Sequence, residues 1–373
     1  MAKYKIPWAN PILGKEELQE VRKSFISQTF TSGKQVQKFE KLLSSYIGSK
    51  YCVAVTNGTI ALDIALKAIK IKKNDEVILP ALTYFSSASS ISYQGAIPVF
   101  VDIDPNTFNI DPNKIKEAIN TKTKAIIYID YGGNPAEIDK IQKIAKKNKI
   151  PIVHDAAQSL GAIYKNKKLG MNGNISTMSF HMAKIITTIE GGAIFTNQKK
   201  IYEELLTRRN IGEPKQKKYY HTLLGTNARM TELNAAIGIK QLRKLEKFVK
   251  DRNKIAKQYD NNFKEANLDI KVLDSRKKNF RNSYFFYPIL IKKRNFVANS
   301  LRHKYNIDTR IAYPMPIYKQ PLYKNKLQSY KKFECPNAEM VSSRILNLPI
   351  YPGMKLKDIK KVVNSIKEIL QSD

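Results

Sequence analysis

The sequence predicts an α/β fold: a mostly parallel sheet sandwiched by helices, followed by a smaller α+β domain. Three observations carry this expectation. Short, continuously apolar runs recur, YCVAV (51–55), VILP (77–80), AIIYID (125–130) and PIVHD (151–155); strands apolar on both faces belong to a buried parallel sheet. The stretches between them carry apolar residues at a helical period. Past about residue 250 the alternation gives way to one strand, YFFYPILI (284–291), and further helices. A chain of 373 residues is long enough for one large and one smaller core. The expected division is 1–250, an N-terminal segment and a large domain, and 251–373, a small C-terminal domain.

Taken in order, residues 16–27 present Leu18, Val21 and Phe25 at helical spacing, and Val36, Phe39, Leu43 and Tyr46 mark a second helix. YCVAV then leads through the small-residue turn TNGT (56–59) into a helix faced by Leu62, Ala65, Leu66 and Ile69. A strand, a tight turn and a helix N-terminus in that order suit an anion such as phosphate, although the same order also makes an ordinary capped turn. VILP, IPVFVDID (97–104), AIIYID and PIVHD follow as strands, with helices at 111–119 and around Ile138, Ile141 and Ala145. No GxGxxG follows the first strand, so a dinucleotide fold is not supported. Residues 176–180 and 193–196 read as two more strands. A long helix begins at Glu232, and further helices cover Phe296–Tyr305 and Leu356 onward.

Composition excludes several function classes. Cys52 and Cys335 form no disulfide framework or zinc spacing, and His154, His181, His221 and His303 form no HExxH pair, so no metal is expected. No run approaches the roughly 18 apolar residues of a membrane span. MAKYKIPWANP lacks the apolar core of a signal peptide, which predicts a cytoplasmic protein. The net charge of +33, from 65 Lys+Arg against 32 Asp+Glu, is the oddest global number. The lysines are scattered singly and in pairs such as Lys72-Lys73 and Lys146-Lys147, with no basic block, so a nucleic-acid partner is not expected.

The chemistry concentrates between Ile152 and Thr196. Asp155 ends one apolar run and Lys184 follows another. Ligands of open parallel sheets sit beyond the carboxyl ends of the strands. Thr59, Asp155, Ser179 and Lys184 all lie just past predicted strand ends and can converge there. An acid and a lysine so placed suit a carbonyl cofactor held as a Schiff base.

The surrounding stretches resemble the DegT/DnrJ/EryC1/StrS family of sugar aminotransferases, which use pyridoxal 5′-phosphate. The matching segments are QTFTSGKQVQKFE (28–40), VTNGTIALDIAL (55–66), NDEVILPALTY (74–84), HDAAQSLGA (154–162), SFHMAKIITTIEGG (179–192), GTNARMTELNAAIG (225–238) and RILNLPIYPGM (344–354). The resemblance implies the fold type I aminotransferase architecture with a seven-stranded, mostly parallel sheet. It makes Lys184 the lysine that forms the internal aldimine, and Asp155 the partner of the pyridine nitrogen. It places Gln158, one helical turn after Asp155, at the ring edge, Gly58, Thr59 and Ser179 at the phosphate, and Tyr84 on the ring. Asn227 would reach the phosphate of a neighbouring subunit, implying a homodimer with shared active sites. His181, Arg229 and Tyr318 are candidate substrate contacts.

The implied reaction is transamination of a nucleotide-linked keto-deoxysugar with glutamate as donor, a 4-keto-6-deoxyhexose first and a 3-keto sugar as alternative. A sugar dehydratase and a non-catalytic regulator that binds the cofactor are the rivals. In related dehydratases a histidine replaces the Schiff-base lysine, whereas Lys184 is retained here. The chain departs from the family at Ile189, where Gly-Glu-Gly-Gly is usual, at Tyr318, where a histidine is usual, and at Asn306, where a glycine is frequent.

Overall fold

The computed structural model describes residues 4–26, 28–214, 218–268, 270–273, 279–325 and 327–371. The first elements are helices α1 (Lys15–Ile26) and α2 (Lys34–Ile47), strand β1 (Tyr51–Val55), and helix α3 (Gly58–Ala68). Alternation continues through β2 (Glu76–Pro80), α4 (Phe85–Ser92), β3 (Ile97–Val101), α5 (Pro112–Ala118), β4 (Thr123–Ile129), α6 (Ile138–Asn148) and β5 (Ile152–Asp155). A small hairpin, β6 (Ile163–Tyr164) and β7 (Lys167–Lys168), was not expected. Then come β8 (Ile175–Ser179), β9 (Gly192–Thr196), α7 (Lys199–Arg209) and α8 (Glu232–Glu265). The remainder holds β10 (Lys271–Val272), β11 (Tyr287–Leu290), α9 (Arg294–His303), α10 (Pro321–Lys324), β12 (Lys331–Lys332), α11 (Pro336–Arg344), β13 (Ile345–Leu348) and α12 (Leu356–Gln371).

The large sheet has the order β1-β9-β8-β5-β4-β2-β3-β12. It is the expected seven strands with the two-residue β12 added at one edge. Only β9 runs against its neighbours, β1 and β8; the other pairings are parallel. The carboxyl ends of β1, β2, β5 and β8 therefore share one edge of the sheet, and that shared edge positions the site. A smaller sheet, β10-β11-β13, belongs to the second core.

Two helices differ from expectation. In α1 the predicted apolar face points outward, with Leu18 69% and Phe25 56% exposed. Glu17, Glu20 and Ser24 are buried instead. The reason is α8, which offers cations to that face: Lys244 pairs with Glu17 at 2.6 Å and Lys240 with Glu20 at 3.2 Å, while Gln241 donates to Glu17 at 2.9 Å. The second is α8 itself, one unbroken helix where two helical segments were expected; the predicted 250/251 boundary falls inside it. Ala235, Ile239, Leu245, Phe248 and Val249 of its first half join the core of the large sheet. Ile255, Ala256, Tyr259 and Phe263 of its second half join the core of the small sheet.

Glu232, at the start of α8, also caps α2. Gly33 precedes that helix and has no side chain to do so. The carboxylate accepts from the N–H groups of Gly33 (2.9 Å), Gln35 (2.8 Å) and Val36 (2.9 Å), which answers donors that a helix start leaves open. A Cβ on residue 33 would lie 2.7 Å from that carboxylate, so glycine is what lets it approach. No described helix is long and apolar enough to cross a membrane.

Candidate active site

Asp155 ends β5 and its side chain is buried. Ser87 in the first turn of α4 donates to its Oδ2 at 2.9 Å, and the Ala157 N–H reaches Oδ1 at 3.3 Å. Burial pushes the carboxyl above its ordinary value, opposed by the Ser87 hydroxyl and the charge of Lys184. A cationic ring nitrogen beside this carboxylate would add a further opposing charge. On the other side of the same strand, His154 lies within 2.6 Å of Asp130 and stacks on Tyr128, out of the site.

Lys184 sits in the loop between β8 and β9, its N–H bonded to the His181 carbonyl at 2.9 Å. Its ammonium lies 4.3 Å from the centre of the Phe285 ring. The residue is half-buried and forms no ion pair among the described residues. Desolvation lowers its amine to about 8, against a weaker opposing pull from Asp155. An amine so placed is neutral in a larger fraction near neutral pH than a surface lysine, and the neutral amine is the nucleophilic form.

The turn after β1 makes a cradle. Asn57 caps α3, its Oδ1 accepting from the Ile60 N–H at 2.9 Å. That leaves the first amides of the helix without intrahelical acceptors. Thr59 Oγ1 lies 2.6 Å from Ser86 Oγ. A Cβ on Gly58 would come within 2.8 Å of Ser179 Cβ, and one on Gly192 within 2.4 Å of the Asn57 carbonyl oxygen. Gly58, at the start of α3, thus lies against Ser179 at the end of β8, with Thr59 next in the chain. The small residues at 58 and 192 keep the backbone close. Helix amides and hydroxyls of this kind are what a phosphate takes, and Asp155 and Lys184 are the acid and the amine that a pyridine aldehyde would need.

Other candidates fall differently. Residues 156–161 form turns rather than the expected helix. The Gln158 side chain nevertheless reaches inward: its Oε1 accepts from the Gly132 N–H at 2.7 Å and its Nε2 donates to the Tyr313 hydroxyl at 3.2 Å. Tyr84 is 59% exposed, its ring 6.2 Å from that of Tyr313, so a face is open for stacking. His181 is exposed and lies 3.6 Å from Glu190. Arg229 donates to Asn210 Oδ1 at 2.8 Å. Asn227 is exposed on a segment that runs along the end of β1, where the Thr56 N–H meets the Ala228 carbonyl at 3.1 Å.

Tyr318 is corrected: it is only 4% exposed, packs on Phe100 and donates its hydroxyl to Glu339 at 2.7 Å. Its polar end is spent inside the protein, so a sugar does not meet it in this arrangement. The sequence reading missed Ser87, Phe285, Gly132 and Tyr313. The serine run SSASS after Tyr84 was the one signal for Ser87; Tyr313 lay in a segment read only as a Pro-rich turn.

A profile of the DegT/DnrJ/EryC1/StrS aminotransferase family matches residues 11–367. The GDP-perosamine synthase of Escherichia coli O157:H7 is 35% identical, with 97% of this chain and 98% of that protein aligned. The dTDP-3-amino-3,6-dideoxy-alpha-D-galactopyranose transaminase of Aneurinibacillus thermoaerophilus is also 35% identical, covering 94% of each chain. Among solved structures, Helicobacter pylori PseC, an aminotransferase involved in the biosynthesis of pseudoaminic acid, superposes with a TM-score of 0.92 at 29% identity over 100% of both chains. With a buried acid, a desolvated lysine and a phosphate cradle on one edge of a fold type I sheet, the chain belongs to the DegT/DnrJ/EryC1/StrS family and is a pyridoxal-phosphate-dependent sugar aminotransferase.

Proposed function

We propose that this enzyme moves the amino group of glutamate to the keto carbon of a nucleotide-linked 4-keto-6-deoxyhexose, with a 3-keto sugar as the alternative. The observation that carries the reading is Lys184: an amine lowered to about 8, set over Phe285, on the sheet edge that also holds the buried Asp155. Bound there, pyridoxal phosphate supplies an electron sink for the carbon that carries the nitrogen. Lys184 Nζ acts as nucleophile and then carries a proton on and off the reacting carbon in each half-reaction. Asp155, fixed by Ser87, holds positive charge on the ring nitrogen. Gly58, Thr59 and Ser179 hold the phosphate, Gln158 and Tyr313 border the ring, and Tyr84 stacks on it. His181 and Arg229 remain the substrate contacts of this reading.

The proposed assembly is a homodimer in which Asn227 completes the partner's phosphate site. The exposure of Asn227 and of the apolar side chains Leu18 and Phe25 supports burial of surface by a partner. The proposed domain division follows the two cores, with α8 shared between them, and the proposed setting is the cytoplasm. The product would be an amino sugar of a surface polysaccharide such as an O-antigen.

The purified protein is expected to absorb in the near-visible, and borohydride is expected to trap the cofactor on Lys184. A Lys184→Ala protein that keeps both signals sinks the assignment. Incubation with glutamate and a panel of nucleotide keto sugars, read by mass, should give the amine. Loss of a hydroxyl without gain of nitrogen would mean a dehydratase, and no conversion with glutamate a regulator.

A further inference from the structure

The turn Tyr131–Gly133, between β4 and α6, is bonded to three segments that supply the site. The Gly132 N–H donates to Gln158 Oε1 at 2.7 Å. The glycine carbonyls accept on the other side, Gly133 from the Ser283 N–H at 3.2 Å and Gly132 from the Phe286 N–H at 3.3 Å. Those two bonds bracket Phe285, whose ring lies beside the Lys184 ammonium. The Tyr131 hydroxyl donates to the Ala312 carbonyl, one residue before Tyr313. Gln158, Phe285 and Tyr313 are thus held through one three-residue turn.

That turn has little stiffness of its own. Gly132 and Gly133 are both left-handed, at φ 64° and 86°, and glycine has the freest backbone of any residue. Its shape comes from outside. Asn109, in the loop between β3 and α5, is 2% exposed. Its Oδ1 accepts from the Tyr131 N–H at 2.7 Å, and its Nδ2 donates to the Asn134 carbonyl at 2.9 Å. One amide therefore clips the entry of the turn to its exit. Asp130 anchors the base, accepting from the Ala136 N–H at 2.9 Å and meeting His154 Nε2 at 2.6 Å.

We propose that Asn109 is a positioning residue for the reaction: by clipping the Tyr131–Gly133 turn it sets Gln158, Phe285 and Tyr313 around Lys184. This role rests on the reading of Lys184 as the amine that takes up pyridoxal phosphate. Removing the amide leaves a buried N–H and a buried carbonyl unpaired at the two ends of a flexible turn. The turn then relaxes, Phe285 loses its bracket, and water reaches Lys184. Asp155, the charge that acts on that amine, is untouched. With its desolvation relieved, the amine moves toward an ordinary lysine.

The test mixes cofactor-free protein with pyridoxal phosphate and follows stopped-flow absorbance across pH. Wild-type protein should capture the cofactor with a midpoint near 8. Asn109→Ala should shift that midpoint up by about one pH unit or more, toward 10.5. The loaded variant should lose about tenfold in kcat with a smaller change in KM. Tyr318→Phe is the control: it loses a hydrogen bond away from the turn and should keep the wild-type midpoint. If Asn109→Ala is destabilised yet keeps a midpoint near 8, Asn109 is structural only and the proposal fails. It fails equally if Tyr318→Phe shifts the midpoint as far. If Asn109→Ala does not fold, Asn109→Ser takes its place, with a smaller shift expected and an unmoved midpoint again decisive against the proposal. Wild-type protein that captures no cofactor would instead sink the reading of Lys184, which keeps the two failures apart.

Discussion

The lowered amine of Lys184 sets a pH dependence that an ordinary lysine would not have. An amine is a nucleophile only when neutral, so the rate of cofactor capture by the cofactor-free protein should rise with pH through a midpoint near 8, not 10.5. Stopped-flow absorbance across pH 6.5 to 9.5 measures it, and a rate still climbing tenfold per pH unit above 9 contradicts the burial argument. Tyr318→Phe gives a second residue-scale expectation. Loss of the bond to Glu339 should cost about 1 kcal/mol in urea unfolding while leaving KM for the sugar unchanged. Tyr313→Phe should leave stability nearly unaltered and change turnover, since its hydroxyl faces Gln158. Asp155, Lys184, Thr59 and Ser179 were legible because each follows an apolar strand, and strand ends meet by topology. Ser87, Gly132, Phe285 and Tyr313 were not: they arrive from four separate segments whose meeting depends on packing that no local pattern encodes.

Elements show where periodicity misleads. The period of α1 was read correctly and its orientation inverted, because helical spacing identifies a face but not what the neighbour offers. Here the neighbour offers Lys240, Gln241 and Lys244, and the acids turn inward. The outward face then predicts association: Leu18→Glu with Phe25→Glu should shift the protein toward monomer in sedimentation equilibrium, with little loss of monomer helicity by circular dichroism. Glu232 is a second case, a capping residue that lies almost two hundred positions from the helix it caps. Glu232→Ala leaves three backbone donors open, Gly33 before α2 and Gln35 and Val36 within it, and should cost about 2–3 kcal/mol of stability in denaturant unfolding. The turns after β5 escaped the reading for a related reason. Asp155, Ala156 and Ala157 suit a helix, yet the tertiary contacts of Gln158 with Gly132 and Tyr313 hold the chain in another path.

At the scale of the whole molecule, the strand and helix alternation made the large sheet legible. The small sheet was less so, since β10 spans two residues and β13 was hidden in a segment without a clear strand pattern. The proposed sharing of sites between subunits makes a mixing experiment informative. Lys184→Ala and Asn227→Ala proteins, each impaired alone, should regain about a quarter of wild-type activity when dissociated and reassembled together, because half of the dimers are then mixed and each of those carries one intact site. No recovery on reassembly would place Asn227 in its own chain's site. Finally, α8 runs for 34 residues, about 51 Å, and lends side chains to both cores. Neither core can melt without stripping apolar cover from a rod that the other still grips. Heating should therefore produce one calorimetric peak, with the van't Hoff and calorimetric enthalpies in agreement, even though the chain carries two sheets. A proline inserted midway along the rod would be expected to split that peak in two.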